Sequence, residues 1–129
     1  MRLLLDTNAL IWALGPAREL PEPVRRLIAD PRNDVFFSAV SIFEIAAKRA
    51  AARRSAPRLS SGRASDLAQR AGFRQVVMTA EHAVAVETLA PFHDDPFDKL
   101  LLAQAQVEDM RLVTHDEELA AFDSKTILF

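Results

Sequence analysis

The chain contains no cysteine, which removes disulfides, thiolate metal sites and cysteine nucleophiles together. That composition fits a reducing compartment, and we expect a cytoplasmic protein. It also has no apolar run near the roughly eighteen residues that a membrane span requires. The N-terminal run Leu3-Leu4-Leu5 stops at Asp6, too short for the apolar region of a signal peptide. The reading is a soluble protein with no membrane contact. Repeats and low-complexity tracts are missing as well, although Ala46–Ala52 is rich in alanine. Two stretches lack charge of one sign. From Ile45 to Ser65 there are six basic residues (Lys48, Arg49, Arg53, Arg54, Arg58, Arg63) and no acid. From Gln75 to Asp98 there are five acids and no Lys or Arg. A net charge of −2 therefore hides an asymmetry that allows an acidic pocket beside a basic arm.

What is present describes an ordinary globular domain. At 129 residues the chain reads as a single domain, 1–129, able to bury roughly two-thirds of its unfolded surface. Half of its residues are hydrophobic, as in soluble folds generally. Arg2–Leu5 reads as a short buried strand and Ala9–Leu14 as a helix ended by Gly15-Pro16. Pro21, Pro23 and the spacing of Val24, Leu27 and Ile28 predict a second helix, closed by Asp30-Pro31. Val35–Phe37 is a strand, followed by a long helix from about Val40 to Arg54. Ser55–Gly62 is turn-like, and a helix over Ala64–Ala71 ends at Gly72, a C-terminal cap. Val76–Met78 is a strand, Ala80–Leu89 a helix stopped before Pro91, and Phe97–Asp109 a further helix. Leu112–Thr114 is a strand, Glu117–Phe122 a helix, and Thr126–Leu128 a terminal strand. Strands alternating with helices over the whole length predict βαβ units around a parallel sheet, with helices on both faces.

Four acids stand out: Asp6, Glu44, Asp98 and Asp116. Each follows an apolar strand-like run or opens a helix-like segment. In an open parallel sheet, residues at the carboxyl ends of strands converge on one crevice. Carboxylates crowded there raise each other's pKa. Hard divalent cations relieve that repulsion through oxygen ligands, and such sites most often act on phosphate esters. Each acid also has a local explanation. Ser41-Ile42-Phe43-Glu44 fits a capping box, with Glu44 bonded to the Ser41 amide. Asp95-Pro96-Phe97-Asp98 fits a helix start in which Asp95 caps and Asp98 complements the dipole. Thr114-His115-Asp116-Glu117 again has capping-box spacing. Asp6 leaves the most apolar strand and is either a cap or a ligand at the crevice mouth. Capping alone does not predict that strands and helices along the chain all deliver acids to one edge, and the joint pattern favours a site.

These residues resemble the PIN-domain family, in particular the VapC-type toxin ribonucleases of bacterial toxin–antitoxin pairs. The likeness covers nearly the whole chain. It is carried by Leu4-Leu5-Asp6-Thr7-Asn8-Ala9-Leu10-Ile11-Trp12, by Ser38-Ala39-Val40-Ser41-Ile42-Phe43-Glu44-Ile45, by Asp95-Pro96-Phe97-Asp98-Lys99 through Ala105, and by Leu112-Val113-Thr114-His115-Asp116. The resemblance implies a doubly wound sheet of about five parallel strands and Mg²⁺-dependent endoribonuclease activity, with Mn²⁺ as a substitute. By position, Asp6 and Asp98 look like the principal metal ligands, and Glu44 and Asp116 match the acids that complete the pocket directly or through water. It further implies an RNA substrate, a homodimer, and a cognate antitoxin that inserts an Arg or Lys near Asp6 and Asp98. The antitoxin's apolar residues would pack on a groove including Trp12 and Phe43. Many relatives of this branch carry His where Asn8 stands and Arg where Lys99 stands, although Asn8 occurs in the wider family. Lys99 is a point charge without the guanidinium fork, so the contact made there is weakened.

The remaining polar residues read more plainly. His82, His93 and His115 share no metal-ligand spacing and are taken as surface or capping residues. Trp12 is assigned to packing, and the tract Lys48–Arg63 is either a solvated surface or a phosphate-binding arm. Two alternatives stay open: a doubly wound phosphatase with Asp6 as nucleophile, and a noncatalytic RNA- or protein-binding module on the same fold.

Overall fold

The computed structural model describes residues 1–15, 19–51, 54, 56–89 and 94–129. The expected helix stops at Pro16 and Pro91, and the side chains of Arg53 and His93, lie outside the described residues. Five strands form one sheet: β1 (Arg2–Leu5), β2 (Asp34–Ser38), β3 (Arg74–Val76), β4 (Arg111–Thr114) and β5 (Ile127–Leu128). Their order is β3-β2-β1-β4-β5, and every pairing is parallel. The helices described are α1 (Thr7–Leu14), α2 (Glu22–Ala29), α3 (Ala39–Ala50), α4 (Ser61–Arg70), α5 (Ala80–Leu89), α6 (Pro96–Val107) and α7 (Glu117–Phe122). None of them is long and apolar enough to cross a membrane.

Alternation along the strands divides the core in two. Leu3, Leu5, Val35, Phe37 and Val113 face α1, α2 and α4. Leu4, Phe36 and Leu112 face the opposite way and pack with Leu101, Leu102 and Leu119 of α6 and α7. Such two-sided burial explains why β1 reads as a continuous apolar run. The sheet therefore has the expected doubly wound, α/β form.

Boundaries differ from expectation where capping decides them. α1 begins at Thr7 because the Asp6 side chain accepts from the Ala9 amide at 2.7 Å. α4 begins at Ser61, inside the expected turn, because Ser60 caps it. β3 starts two residues earlier than the apolar trio Val76–Met78, and Val77 and Met78 are exposed. The end of α4 follows expectation. Gly72 lies at φ +85, and its amide and that of Phe73 donate back to Gln69 and Ala68 carbonyls, the helix-ending arrangement that favours glycine.

A buried polar chain locks α5 and α6 to the start of α3. Ser38 Oγ accepts from the Val40 amide and donates to Gln104 Oε1 at 2.5 Å. Gln104 Nε2 in turn faces His82 Nδ1 at 3.3 Å. His82 is fully buried, which corrects its reading as a surface residue, although it does cap. Its amide donates to Thr79 Oγ1, and its Nδ1 accepts from the Thr79 amide at 3.0 Å. That bond leaves the proton on Nε2, which donates to Glu108 Oε1 at 2.8 Å.

Two glycines should respond oppositely to alanine. Gly72→Ala places a side chain in the left-handed region and is expected to cost about 1 kcal/mol. Gly62, within α4 and with open space where a Cβ would stand, should gain about 0.5 kcal/mol in its alanine variant. Denaturant unfolding of both variants measures the sign directly.

Candidate active site

Because β1, β2 and β4 are parallel neighbours, their carboxyl ends share one edge of the sheet. Asp6 directly follows β1, Glu44 sits on α3 directly after β2, and Asp116 follows β4 by two residues. α6 ends at the opposite edge, where the Glu108 carbonyl accepts from the Arg2 guanidinium at the start of β1. Its first turn, carrying Asp98, therefore lies at the carboxyl edge, and the Phe43 and Phe97 rings meet there at 5.9 Å. All four acids occupy the same edge.

Asp6 and Glu44 are the buried pair, each only 4% exposed. Asp6 caps α1 with one oxygen and accepts from Thr114 Oγ1 with the other, at 2.5 Å. Burial raises its pKa above the ordinary value. The Thr114 and Ala9 hydrogen bonds and the charge of His115 oppose that rise, while the charge of Glu44 adds to it. Glu44 is not part of a capping box, as the sequence suggested. Ser38 caps α3, and the Glu44 oxygens accept from Thr7 Oγ1 and Lys48 Nζ, each at 2.6 Å. Thr7 also contacts Ser41 Oγ at 3.0 Å.

Asp98 and Asp116 are half-buried. Asp98 lies in the first turn of α6, capped by Asp95 as expected. Asp116 caps α7 itself through the Glu118 and Leu119 amides, and its own amide donates to Thr114 Oγ1. Thr114 thus links Asp6 to the segment carrying Asp116. Among the described residues, no three metal-ligating side chains stand together as a ready cation cage. The donor set is nevertheless entirely carboxylate oxygen, which suits a hard divalent ion, and a cation beside Asp6 would offset the penalty of its burial.

Thr7, Thr114 and Lys48 hold the carboxylates, a role the sequence did not assign to them. Only Lys48 had a signal, its position four residues after Glu44 on one helix. The basic tract resolves unevenly. Lys48 pairs with Glu44, Arg49 donates to the carbonyls of Pro57 and Arg58 at 2.7 and 3.0 Å, and Arg63 approaches Asp66 at 3.8 Å. Arg49 is therefore a clamp on the loop after α3, and Lys48 and Arg49 are engaged within the protein rather than held free for phosphate. The expected shared groove also divides. Trp12 lines a cavity of about 360 Å³ with Ile11, Leu14, Arg58 and Leu59. Phe43 lines a separate one of about 400 Å³ with Val40, Met78, Phe97 and Leu100. As expected, Trp12 packs, here against the rings of His115 and Phe129 at 5.0 and 5.9 Å.

The raised pKa of Asp6 has a sign that can be measured. The folded state holds the Asp6 proton more tightly than the unfolded chain, so this residue's contribution to stability is present below about pH 4 and is lost as pH rises through the folded value. Asp6→Asn, with divalent ions chelated, should melt above the wild type at neutral pH. The gap should narrow on acidification. Melting curves between pH 4 and 7.5 test this, and a variant that melts lower throughout would contradict it.

The PIN-domain family model matches residues 3–125. Among solved structures, VapBC-1 of nontypeable Haemophilus influenzae superposes with a TM-score of 0.69 at 16% identity, covering 100% of this chain and 97% of that one. VapBC2 of Rickettsia felis, bound to a fragment of its promoter DNA, gives 0.66 at 15% identity, covering 100% and 98%. FitAcB of Neisseria gonorrhoeae gives 0.60 at 21% identity, covering 98% and 96%. No curated protein matches the chain in sequence. At these identities the structural likeness is one of fold. A family model spanning nearly the whole sequence says more: the chain belongs to the PIN-domain family.

Proposed function

We propose that this protein is a Mg²⁺-dependent endoribonuclease and the toxin of a VapC-type toxin–antitoxin pair, with Mn²⁺ able to replace Mg²⁺. The observation that carries the reading is the desolvated Asp6 carboxylate at the exit of the central strand, with Glu44, Asp98 and Asp116 at the same sheet edge. Solved relatives of the fold described as VapBC complexes and as a toxin–antitoxin complex of Klebsiella pneumoniae support it.

Asp6 and Asp98 would hold the ion, with Glu44 and Asp116 completing the pocket directly or through water. When bound, the ion would supply positive charge to the scissile phosphate and acidify an attacking water. The protein's own contribution is rigidity. The Ala9 amide and Thr114 fix the Asp6 carboxylate, Thr7 fixes Glu44, and the α7 cap fixes Asp116, so little reorganisation is left for the moment of reaction.

Purified protein incubated with total RNA should cleave it in Mg²⁺ and stop in EDTA. Asp6→Asn and Asp98→Asn should each lower the rate by about 100-fold or more, the scale on which losing one preorganised charge-stabilising group acts. Undiminished cleavage by either folded variant would remove its residue from the site, and a phosphoaspartate trapped on Asp6 would favour phosphatase chemistry instead.

The cognate antitoxin is proposed to place an Arg or Lys near Asp6 and Asp98, since a guanidinium pairs carboxylates in a bidentate fashion. Its apolar residues would use the cavity at Trp12, next to the loop held by Arg49. The separate cavity beside Phe43, which is 63% exposed, would serve a homodimer. Expression of the chain alone in a bacterial cytoplasm should arrest growth, and co-expression with the antitoxin should restore it. Growth unaffected by abundant, folded wild-type protein would count against the toxin assignment even if RNA is cleaved in vitro.

A further inference from the structure

Lys48 Nζ stands 2.6 Å from Glu44 Oε2, with Glu44 buried and the Lys48 side chain 32% exposed. The pair is i,i+4 with Glu on the N-terminal side, the better orientation on a helix. Lys48 also lies in the last turn of α3, where the helix dipole favours a cation. Thr7 Oγ1 holds the other Glu44 oxygen at 2.6 Å. An ammonium is therefore seated against one of the crevice acids, on the same helix and at fixed spacing. It supplies at Glu44 the positive charge that a metal would otherwise have to bring.

We infer that Lys48 is a built-in counter-cation: by pairing with Glu44 it lowers the crevice's affinity for a divalent ion. This rests on the metal-dependent reading above and adds a positioning residue to it. With Lys48 in place the Glu44–Lys48 pair is neutral as a unit. Removing the ammonium restores one full negative charge to a poorly solvated edge, where Coulomb interactions are several times stronger than in water. Removing the carboxylate alone leaves an unopposed positive charge and has the reverse effect.

The test is Mn²⁺ binding without RNA, by calorimetry and by the electron paramagnetic resonance of the ion remaining in solution, on the full chain. Lys48→Met should bind Mn²⁺ about tenfold more tightly than wild type. Glu44→Gln should bind several-fold more weakly, and the double variant should return near wild type, a pattern that a purely structural pair would not produce. Lys48→Gln keeps a donor of similar reach without the charge and should follow Lys48→Met, which guards against a folding defect in either. Circular dichroism and melting curves without metal establish that each variant is folded. Wild-type binding with unchanged or weaker affinity in both Lys48 variants overturns the inference alone. Absence of binding in every variant overturns the metal reading and the inference together.

Discussion

The constraint on which the site depends is the burial of a carboxylate at the exit of the central strand. β1 is covered on both faces and flanked by β2 and β4, so whatever follows Leu5 emerges inside the crevice between them. Asp6 cannot reach bulk water from there, and ionising it costs free energy unless donors surround it. Three neighbouring features answer that cost. The first turn of α1 supplies the Ala9 amide, β4 supplies the Thr114 hydroxyl, and His115 supplies opposing charge. None of them cancels the effect of burial, because the pKa remains raised. The fold thus brings a negative charge to a place that does not favour it, and the acids of three other segments share the same edge.

Much of this was legible in the sequence. The run Leu3-Leu4-Leu5 announced a strand buried on both sides, and a residue directly after such a strand has only one place to go in a parallel sheet. Asp95 and Gly72 advertised their helix ends through chemistry that acts within a few residues. The errors arose where a local pattern competed with a long-range partner. Ser41 and Glu44 had capping-box spacing, yet Ser38 caps the helix one turn earlier. Glu44 turns instead to Thr7, 37 positions away. His82 has nothing in its neighbourhood to signal burial, since Gln104 and Glu108 arrive from another helix. Nothing local to Trp12 or Phe43 separates the two cavities they line; only their placement in the fold does.

The basic tract illustrates the same limit. A run of cations without acids invites an electrostatic reading as a whole, but the fold assigns its members individually. Lys48 is consumed by a carboxylate from its own helix, Arg49 by two carbonyls of the following loop, and Arg63 is turned toward Asp66. Charge density along a sequence overstates the charge available to a ligand whenever the chain can satisfy it internally.

Two buried polar networks lie on this framework, and their contrast locates the chemistry. The chain Ser38–Gln104–His82–Glu108 alternates donors and acceptors and ends at a half-exposed carboxylate. It carries no charge in its interior and fastens α5 and α6 to α3. The Asp6–Glu44 network is equally well bonded but places two carboxylates within each other's field. Among the described residues the one buried polar side-chain atom without a partner is Thr126 Oγ1, so neither network is incomplete in hydrogen bonds. What distinguishes the second is electrostatic: burial makes ionisation of Asp6 costly despite the hydrogen bonds from Ala9 and Thr114, and the charge of Glu44 adds to that cost. A satisfied neutral network is a fastener, whereas a satisfied but strained cluster of charge is where a cation or a cationic side chain gains the most by binding.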